Sequence, residues 1–266
     1  MKRIVWLTDI HLDFVSGLEA EEFCHDVEAE APDAVLIGGD IGDARSVETI
    51  LESVAGWLGC PVYFVLGNHD FYKGSVADTT GRVRRLCRRV ANLVWLDEAG
   101  AVELTPGTVL VGVGGWADGA FGRYDGDFAP LNDYYLIEEL AGLNGPGRLE
   151  AMQSLASDAA EHVRAVLPAA VEGHEETLFL THVPPFREAC WYQGKTSGDD
   201  WLPHFACKAV GDVLIETMRV RPDRRLTVLC GHTHSPGRAE VLPNLLALTG
   251  SAEYARPEIQ RVLEVE

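Results

Sequence analysis

The segment Pro61-Val62-Tyr63-Phe64-Val65-Leu66-Gly67-Asn68-His69-Asp70 passes abruptly from an apolar run to a polar one. Its first six residues are largely β-branched, aromatic or aliphatic, the composition of a short buried strand. An amide, an imidazole and a carboxylate in immediate succession at its exit contribute nothing to a core. Asn offers a carbonyl oxygen to a cation, His a ring nitrogen or a movable proton, and Asp an acceptor that could orient the His. Taken alone, Gly-Asn-His-Asp is also compatible with an ordinary polar turn.

The same event recurs on both sides. Toward the N-terminus, Ala34-Val35-Leu36-Ile37 leaves through Gly38-Gly39-Asp40-Ile41-Gly42-Asp43, where glycines let the backbone approach something closely. Arg3 to Leu7 leaves through Thr8-Asp9-Ile10-His11, and residues two apart in extended chain share a face, so Asp9 and His11 can converge. Toward the C-terminus, Thr177 to Leu180 leaves through Thr181-His182-Val183-Pro184-Pro185, and Leu226 to Cys230 through Gly231-His232-Thr233-His234. Helical spacing separates these runs over Leu18–Ala29, Ser46–Leu58, Val76–Val90, Leu149–Leu167 and Ala206–Met218. Adjacent strands at Leu93–Leu96, Val102–Leu104 and Val109–Val113 break the early βαβ rhythm and point to a second, mixed sheet. Val241–Leu248 and Gln260–Val265 read as closing strands. The helix over Val76–Val90 carries Arg82, Arg84, Arg85, Arg88 and Arg89, a solvated face, and His162 reads as a surface residue.

Two segments lack a regular pattern. Residues 115–147 hold Trp116, Phe121, Arg123, Tyr124, Phe128, Tyr134 and Tyr135; residues 187–203 hold Trp191, Tyr192, Lys195 and Trp201. Irregular stretches of this length in a compact domain are usually functional or disordered, and their aromatics favour function. The aromatic faces and the cations Arg123 and Lys195 suit a ring attached to a phosphate, so Arg123, Tyr124, Trp191 and Lys195 are candidate substrate contacts. The alternative is that these aromatics pack a small lid or a subunit contact.

The chain has 266 residues, 47% of them hydrophobic and 24% charged, which fits one large α/β domain over 1–266. No apolar run reaches the roughly 20 residues a membrane span needs. Met1-Lys2-Arg3 leads straight into a strand without the length of a signal peptide. Six cysteines lie far apart with no Cys-x-x-Cys pair, as expected of a reducing, cytoplasmic compartment. A formal charge of −19 argues against stable binding of long nucleic acid. It does not exclude a small phosphate substrate, because bound cations can reverse the local field.

Ligands in α/β sheets bind where strand ends open out, so the five exits can form one site. Pooled, Asp9, His11, Asp40, Asn68, His182, His232 and His234 offer carboxylate, imidazole and amide donors suited to first-row divalent ions. Seven ligands exceed one tetrahedral metal and suit two octahedral ions that share a carboxylate.

These blocks resemble the signature of the calcineurin-like metallophosphoesterase superfamily: Asp-x-His, Gly-Asp-x-x-Asp, Gly-Asn-His-Asp or Glu, a lone His, and Gly-His-x-His. They stand here in that order at Asp9/His11, Gly39 to Asp43, Gly67 to Asp70, His182 and Gly231 to His234. The resemblance implies an αββα sandwich of two mixed β-sheets flanked by helices. It implies one ion held by Asp9, His11, Asp40 and His234, and a second by Asp40, Asn68, His182 and His232, the metals being Mn, Fe or Zn. His69 would then serve the leaving group, with Asp70 fixing its tautomer and Asp43 shaping the loop or supporting a ligand. The reaction implied is hydrolysis of a phosphomonoester or small phosphodiester by metal-activated water. A nuclease-type phosphodiesterase and a catalytically silent metal-binding interaction protein are the alternatives.

Overall fold

The structure, a computed structural model, describes residues 1–126 and 129–266; Phe128, one aromatic of the first irregular segment, lies outside the described residues. Along the chain come β1 (Lys2–Leu7), α1 (Gly17–Ala29), β2 (Ala34–Gly38), α2 (Val47–Leu58), β3 (Val62–Val65), α3 (Val76–Arg89) and β4 (Leu93–Trp95). Next are α4 (Leu96–Ala99), β5 (Val102–Thr105), β6 (Thr108–Val113), α5 (Asp133–Leu136), α6 (Gly145–Gly173) and β7 (Glu176–Thr181). A small hairpin of β8 (Trp191–Tyr192) and β9 (Lys195–Thr196) precedes α7 (Leu202–Phe205) and α8 (Lys208–Arg219). Strands β10 (Arg225–Cys230), β11 (Gly237–Leu242), β12 (Leu245–Thr249) and β13 (Arg261–Val265) complete the order.

Two mixed sheets result, ordered β13-β1-β2-β3-β4 and β11-β12-β10-β7-β6-β5. Period-two alternation divides each strand between two cores. Ile4, Trp6, Leu36 and Val65 of the first sheet meet Leu110, Leu178, Leu180, Leu229 and Leu248 of the second. Val5, Leu7, Ile37 and Phe64 turn the other way, into a core that includes Phe23, Leu51 and Val54 of the helices. Each aliphatic or aromatic side chain sealed in these layers contributes about 1.5–3 kcal/mol. The architecture is therefore the αββα sandwich.

Register brings the strand exits level. Leu7 pairs with Ile37 and Gly38 with Val65 in the first sheet. In the second, Leu180 pairs with both Gly112 and Leu229. The chain thus leaves β1, β2, β3, β7 and β10 at one end of the sandwich.

Several sequence expectations change. Val241–Leu248 is not one strand but a hairpin, turning at Pro243-Asn244 between β11 and β12. The Asn244 amide donates to the carbonyls of Met218, Arg221 and Arg224, which fixes the turn. Helix α6 starts earlier, where the Asn144 side chain accepts from Gly147 N–H, and it continues past Pro168. Buried Ala170 and Val171 hold that last stretch against the core although the proline removes one donor. His162 is not a surface residue; it is half-buried with its Nε2 enclosed. Around the arginine-bearing α3, Arg82 pairs with Asp78 and Glu48, Arg84 with Glu98, and Arg89 with Glu48 and Glu52, so much of the helix's charge is met locally.

Candidate metal centre

At the common end of the sheets, Asp9, His11, Asp40 and His234 each offer a ligand atom, and these atoms lie within 4.8 Å of one another. Among the described residues this quartet is the one such cluster of imidazole, thiol or carboxylate donors. His11 Nε2 and His234 Nε2 stand 3.2 Å apart, and His234 Nε2 is 3.4 Å from Asp9 Oδ1. The second set is looser. His182 Nε2 lies 3.0 Å from Asn68 Oδ1 and 3.4 Å from Asp40 Oδ1, while His182 and His232 have ring centroids 5.0 Å apart. The two sets meet at Asp40, whose Oδ2 lies 3.8 Å from His11 Nε2 while its Oδ1 faces His182.

Backbone geometry marks the same residues. Nine non-glycine residues have positive φ among those described, and five are Asp9, His11, Asp40, His232 and His234. This left-handed conformation costs of order 1–3 kcal/mol each and is held only where the surroundings over-determine it, as at functional sites. The supporting bonds are present. Thr8 Oγ1 donates to Asp9 Oδ2 at 2.6 Å and His232 N–H to Asp9 Oδ1 at 2.9 Å. His182 Nδ1 bonds the Gly38 carbonyl at 2.9 Å, which makes Nδ1 the protonated nitrogen and leaves the Nε2 lone pair for the site.

Electrostatics of the metal-free centre are unfavourable, as a cation site requires. Burial, with Asp9 and Asp70 adding like charge, pushes Asp40 well above the usual carboxylate range. Burial alone would raise Asp9 too, but hydrogen bonding to His234 and the charges of His182 and His234 win and hold it low. His11 is pushed down to about 4 by burial, reinforced by His234 and His182. His69 is pushed down to about 3, again by burial first and then by His11 and its neighbours. The buried His232 Nε2 and His11 Nδ1 have no hydrogen-bond partner. An orphaned imidazole nitrogen beside crowded carboxylates and other imidazoles fits a divalent cation, which would satisfy all of them at once.

Asp70 departs from its expected role. Its Oδ1 accepts from Ile41 N–H and Gly42 N–H, both at 2.9 Å, and its Oδ2 from Gly67 N–H at 2.8 Å. The His69 ring is not among its partners, because adjacent residues of the His69–Phe71 turn project differently. Asp70 therefore ties the β2 and β3 exits together and does not fix the His69 tautomer. Asp43 shapes its loop, accepting from Arg45 N–H and Ser46 N–H while pairing with Lys73 at 2.7 Å.

Sequence reading missed three contributors. Asp133, from the first irregular segment, accepts from Asn68 Nδ2 at 2.9 Å and from the Tyr72 hydroxyl, which turns the Asn68 carbonyl toward His182. Tyr254 roofs the centre: its ring centroid lies 4.7 Å from that of His11, and its hydroxyl 3.5 Å from His69 Nε2. Phe205 packs on His232 with centroids 5.1 Å apart. None of these has a local sequence pattern, since each acts only through a tertiary contact. The expected substrate contacts divide between two places. Trp191 and Lys195 line a cavity that reaches His232, whereas Arg123 and Tyr124 line a different cleft with Asn144 and Asp200. Arg123 pairs with Asp200 at 2.6 Å, and the Tyr124 hydroxyl donates to the Gly145 carbonyl.

Gly67 shows how tight the centre is. A Cβ there would stand 2.2 Å from Asp40 Oδ1 and 2.6 Å from Asp40 N. Gly67→Ala should displace Asp40, lower any metal content of the cluster and destabilise the fold by about 1–3 kcal/mol through overpacking. Metal analysis and a thermal melt check this; wild-type values in both would mean that the backbones can part without cost.

Two packed mixed sheets with acidic and imidazole donors gathered at one end define the class: a two-sheet α/β sandwich with a candidate metal-binding cluster. A profile of calcineurin-like phosphoesterases matches residues 2–236, and the chain belongs to that family. Phosphopantetheinyl hydrolase from Mycobacterium tuberculosis superposes with a TM-score of 0.66 at 14% identity, covering 94% of this chain and 89% of that one. A dimetal phosphatase from Danio rerio gives 0.57 at 14% identity, over 94% and 87% of the two chains. At such identities these likenesses speak for the fold alone. No curated protein matches the chain. No helix among the described residues is long and apolar enough to cross a membrane.

Proposed function

We propose that the protein is a dinuclear-metal-dependent phosphoesterase acting on a phosphomonoester or small phosphodiester. The observation that carries this is the split of Asp40, one carboxylate oxygen toward His11 and the other toward His182. In this reading Asp9, His11, Asp40 and His234 hold one ion and Asp40, Asn68, His182 and His232 the other, with Mn, Fe or Zn as suitable metals. Bound ions of this kind polarise phosphoryl oxygens and bring water within reach of deprotonation near neutral pH.

The chain's own residues supply orientation and proton transfer. Asp133 and Tyr72 hold Asn68, the Gly38 carbonyl holds His182, and Thr8 with His232 N–H holds Asp9. A cavity of about 220 Å³, lined in part by Asp40, His69, His234 and Tyr254, receives the phosphate. His69 is the general acid. Its ring stacks on Tyr72 with centroids 4.1 Å apart, and the negative charge of an arriving phosphate favours its protonated form. The attacking water forms the new P–O bond while the ester P–O bond breaks. His69 gives a proton to the leaving oxygen and regains one that the water loses.

Metal removal tests the whole reading. Loaded protein should carry about two equivalents of first-row metal, the number that an in-line two-ion clamp requires. Chelation should abolish hydrolysis of an aryl phosphate, and manganese should restore it. Metal at a free concentration 100 times its Kd should also stabilise the fold by about 2.7 kcal/mol, read as a rise in Tm. Undiminished turnover in metal-stripped protein would end the proposal.

A further inference from the structure

The cavity at the metal centre does not end at the metals. Phe205 and His232 line both it and a second cavity of about 420 Å³. The second cavity is walled by Trp191, Tyr192 and Trp201, and its rim carries Lys195 and Gln193. Its volume is that of an ordinary small-molecule site. Two structural facts make it a built feature. The Trp191 ring lies flat against Gly237, where a Cβ would come within 2.0 Å of the indole, so the indole is held from behind by backbone. The β8–β9 hairpin is fixed to the Gly-His-Thr-His loop by Gln193 N–H donating to Ser235 Oγ. Large exposed aromatics also concentrate here: of Phe14, Tyr135, Tyr192, Trp201 and Tyr254, four rim this cavity or the metal centre. A concentration of exposed apolar rings marks a binding surface.

From this we infer that the organic part of the substrate is a planar heteroaromatic group, as in a nucleoside phosphate, stacked in the Trp191–Trp201–Phe205 cavity while its phosphate sits at the metal centre. This rests on the phosphoesterase reading. Indole and phenyl faces stack any aromatic ring. The Gln193 amide, nearby hydroxyls of Thr196 and Ser197, and a lysine with no ion-pair partner among the described residues favour a ring with heteroatoms at its edge over a plain aliphatic chain. The two cavities adjoin at Phe205 and His232, and in this proposal one ligand reaches across both.

The test separates ring binding from catalysis. Metal-stripped protein is titrated with adenosine, which has no phosphate, and tryptophan fluorescence is followed. Saturable quenching is expected, and Trp201→Ala and Tyr192→Ala should each weaken it about ten- to a hundredfold. Metal-loaded protein is then assayed with adenosine 5′-monophosphate, adenosine 2′,3′-cyclic phosphate and methyl phosphate. At least one nucleotide should be preferred over methyl phosphate, and the same variants should lower that preference ratio by a similar factor. Quenching without hydrolysis of any ester would uphold the ring site and refute the catalytic reading. Hydrolysis of all esters with no preference and no quenching would overturn the ring site and leave the catalytic reading standing. A preference for long alkyl phosphates would overturn the ring site as well.

Discussion

Asp40→Asn should abolish hydrolysis and, in the same protein, raise the melting temperature of the metal-stripped form. Both effects follow from one carboxylate. In the proposed function Asp40 is the oxygen donor common to the two sets, and the amide has one oxygen and no charge to give. Loss of a single preorganised charge-stabilising group costs about 10²–10³ in rate, and a group serving two ions should cost more than that. Without metal, the same carboxylate is buried beside Asp9 and Asp70, and its pKa stands well above the usual value. The native state then binds this proton more tightly than the unfolded chain does. Its contribution to stability is therefore present at low pH and lost as pH rises through the folded-state pKa. The variant is free of that penalty, so its advantage in Tm should widen as pH is raised, while its amide oxygen can still accept the bond that His69 N–H makes at 2.9 Å. Two metals retained with near-normal turnover would refute the shared-ligand assignment; a lowered Tm in the stripped form would refute the electrostatic one.

His69→Ala should slow turnover by about 10²–10⁴-fold, the range that a positioned general acid supplies, while metal content stays near the wild-type value. The imidazole lies 4.0 Å from Asp40 Oδ2, and in the proposed function it carries a proton and holds no ion, so its removal should leave the donor set intact. The leaving group decides the size of the loss. Alkoxides need the proton and should suffer the full factor; nitrophenolate departs without one and should suffer little. Equal losses on both would make His69 a phosphate-binding residue. Tyr254, whose hydroxyl is 3.5 Å from His69 Nε2, is the residue best placed to mask part of the effect, and the double variant exposes it.

The candidate donors were legible because each stands at the end of an apolar run, and strand ends are where α/β folds keep their sites. Period-two and helical patterns carried most of the sandwich for the same reason: burial repeats along the chain and leaves a trace in sequence. Where the trace is missing, reading stops. Asp133 orients Asn68 from a segment without periodicity, and nothing local distinguishes it from the other acidic residues there. Asp70 sits next to His69 in sequence, yet its carboxylate serves three backbone amides, a role visible only when β2 and β3 lie side by side. Pro243 lies inside the run read as strand, where an interior strand position tolerates it poorly, and it marks the β11–β12 turn. The helix read as ending at Leu167 continues through Pro168, because buried neighbours hold its last stretch.

The order in which the donors occur along the chain has a consequence for biosynthesis. Asp9, Asp40 and Asn68 belong to one sheet, His182, His232 and His234 to the other, and β13 returns to lie beside β1. At about 5–20 residues per second, a ribosome leaves on the order of ten seconds or more between the first donor and the last. Through that interval β1 waits without its outer neighbour, and the early exits, which carry Asp9, His11, Asp40 and Asn68, stand without His182, His232 and His234. The complete candidate donor set therefore cannot assemble until His234 has emerged, so its completion depends on the late strands.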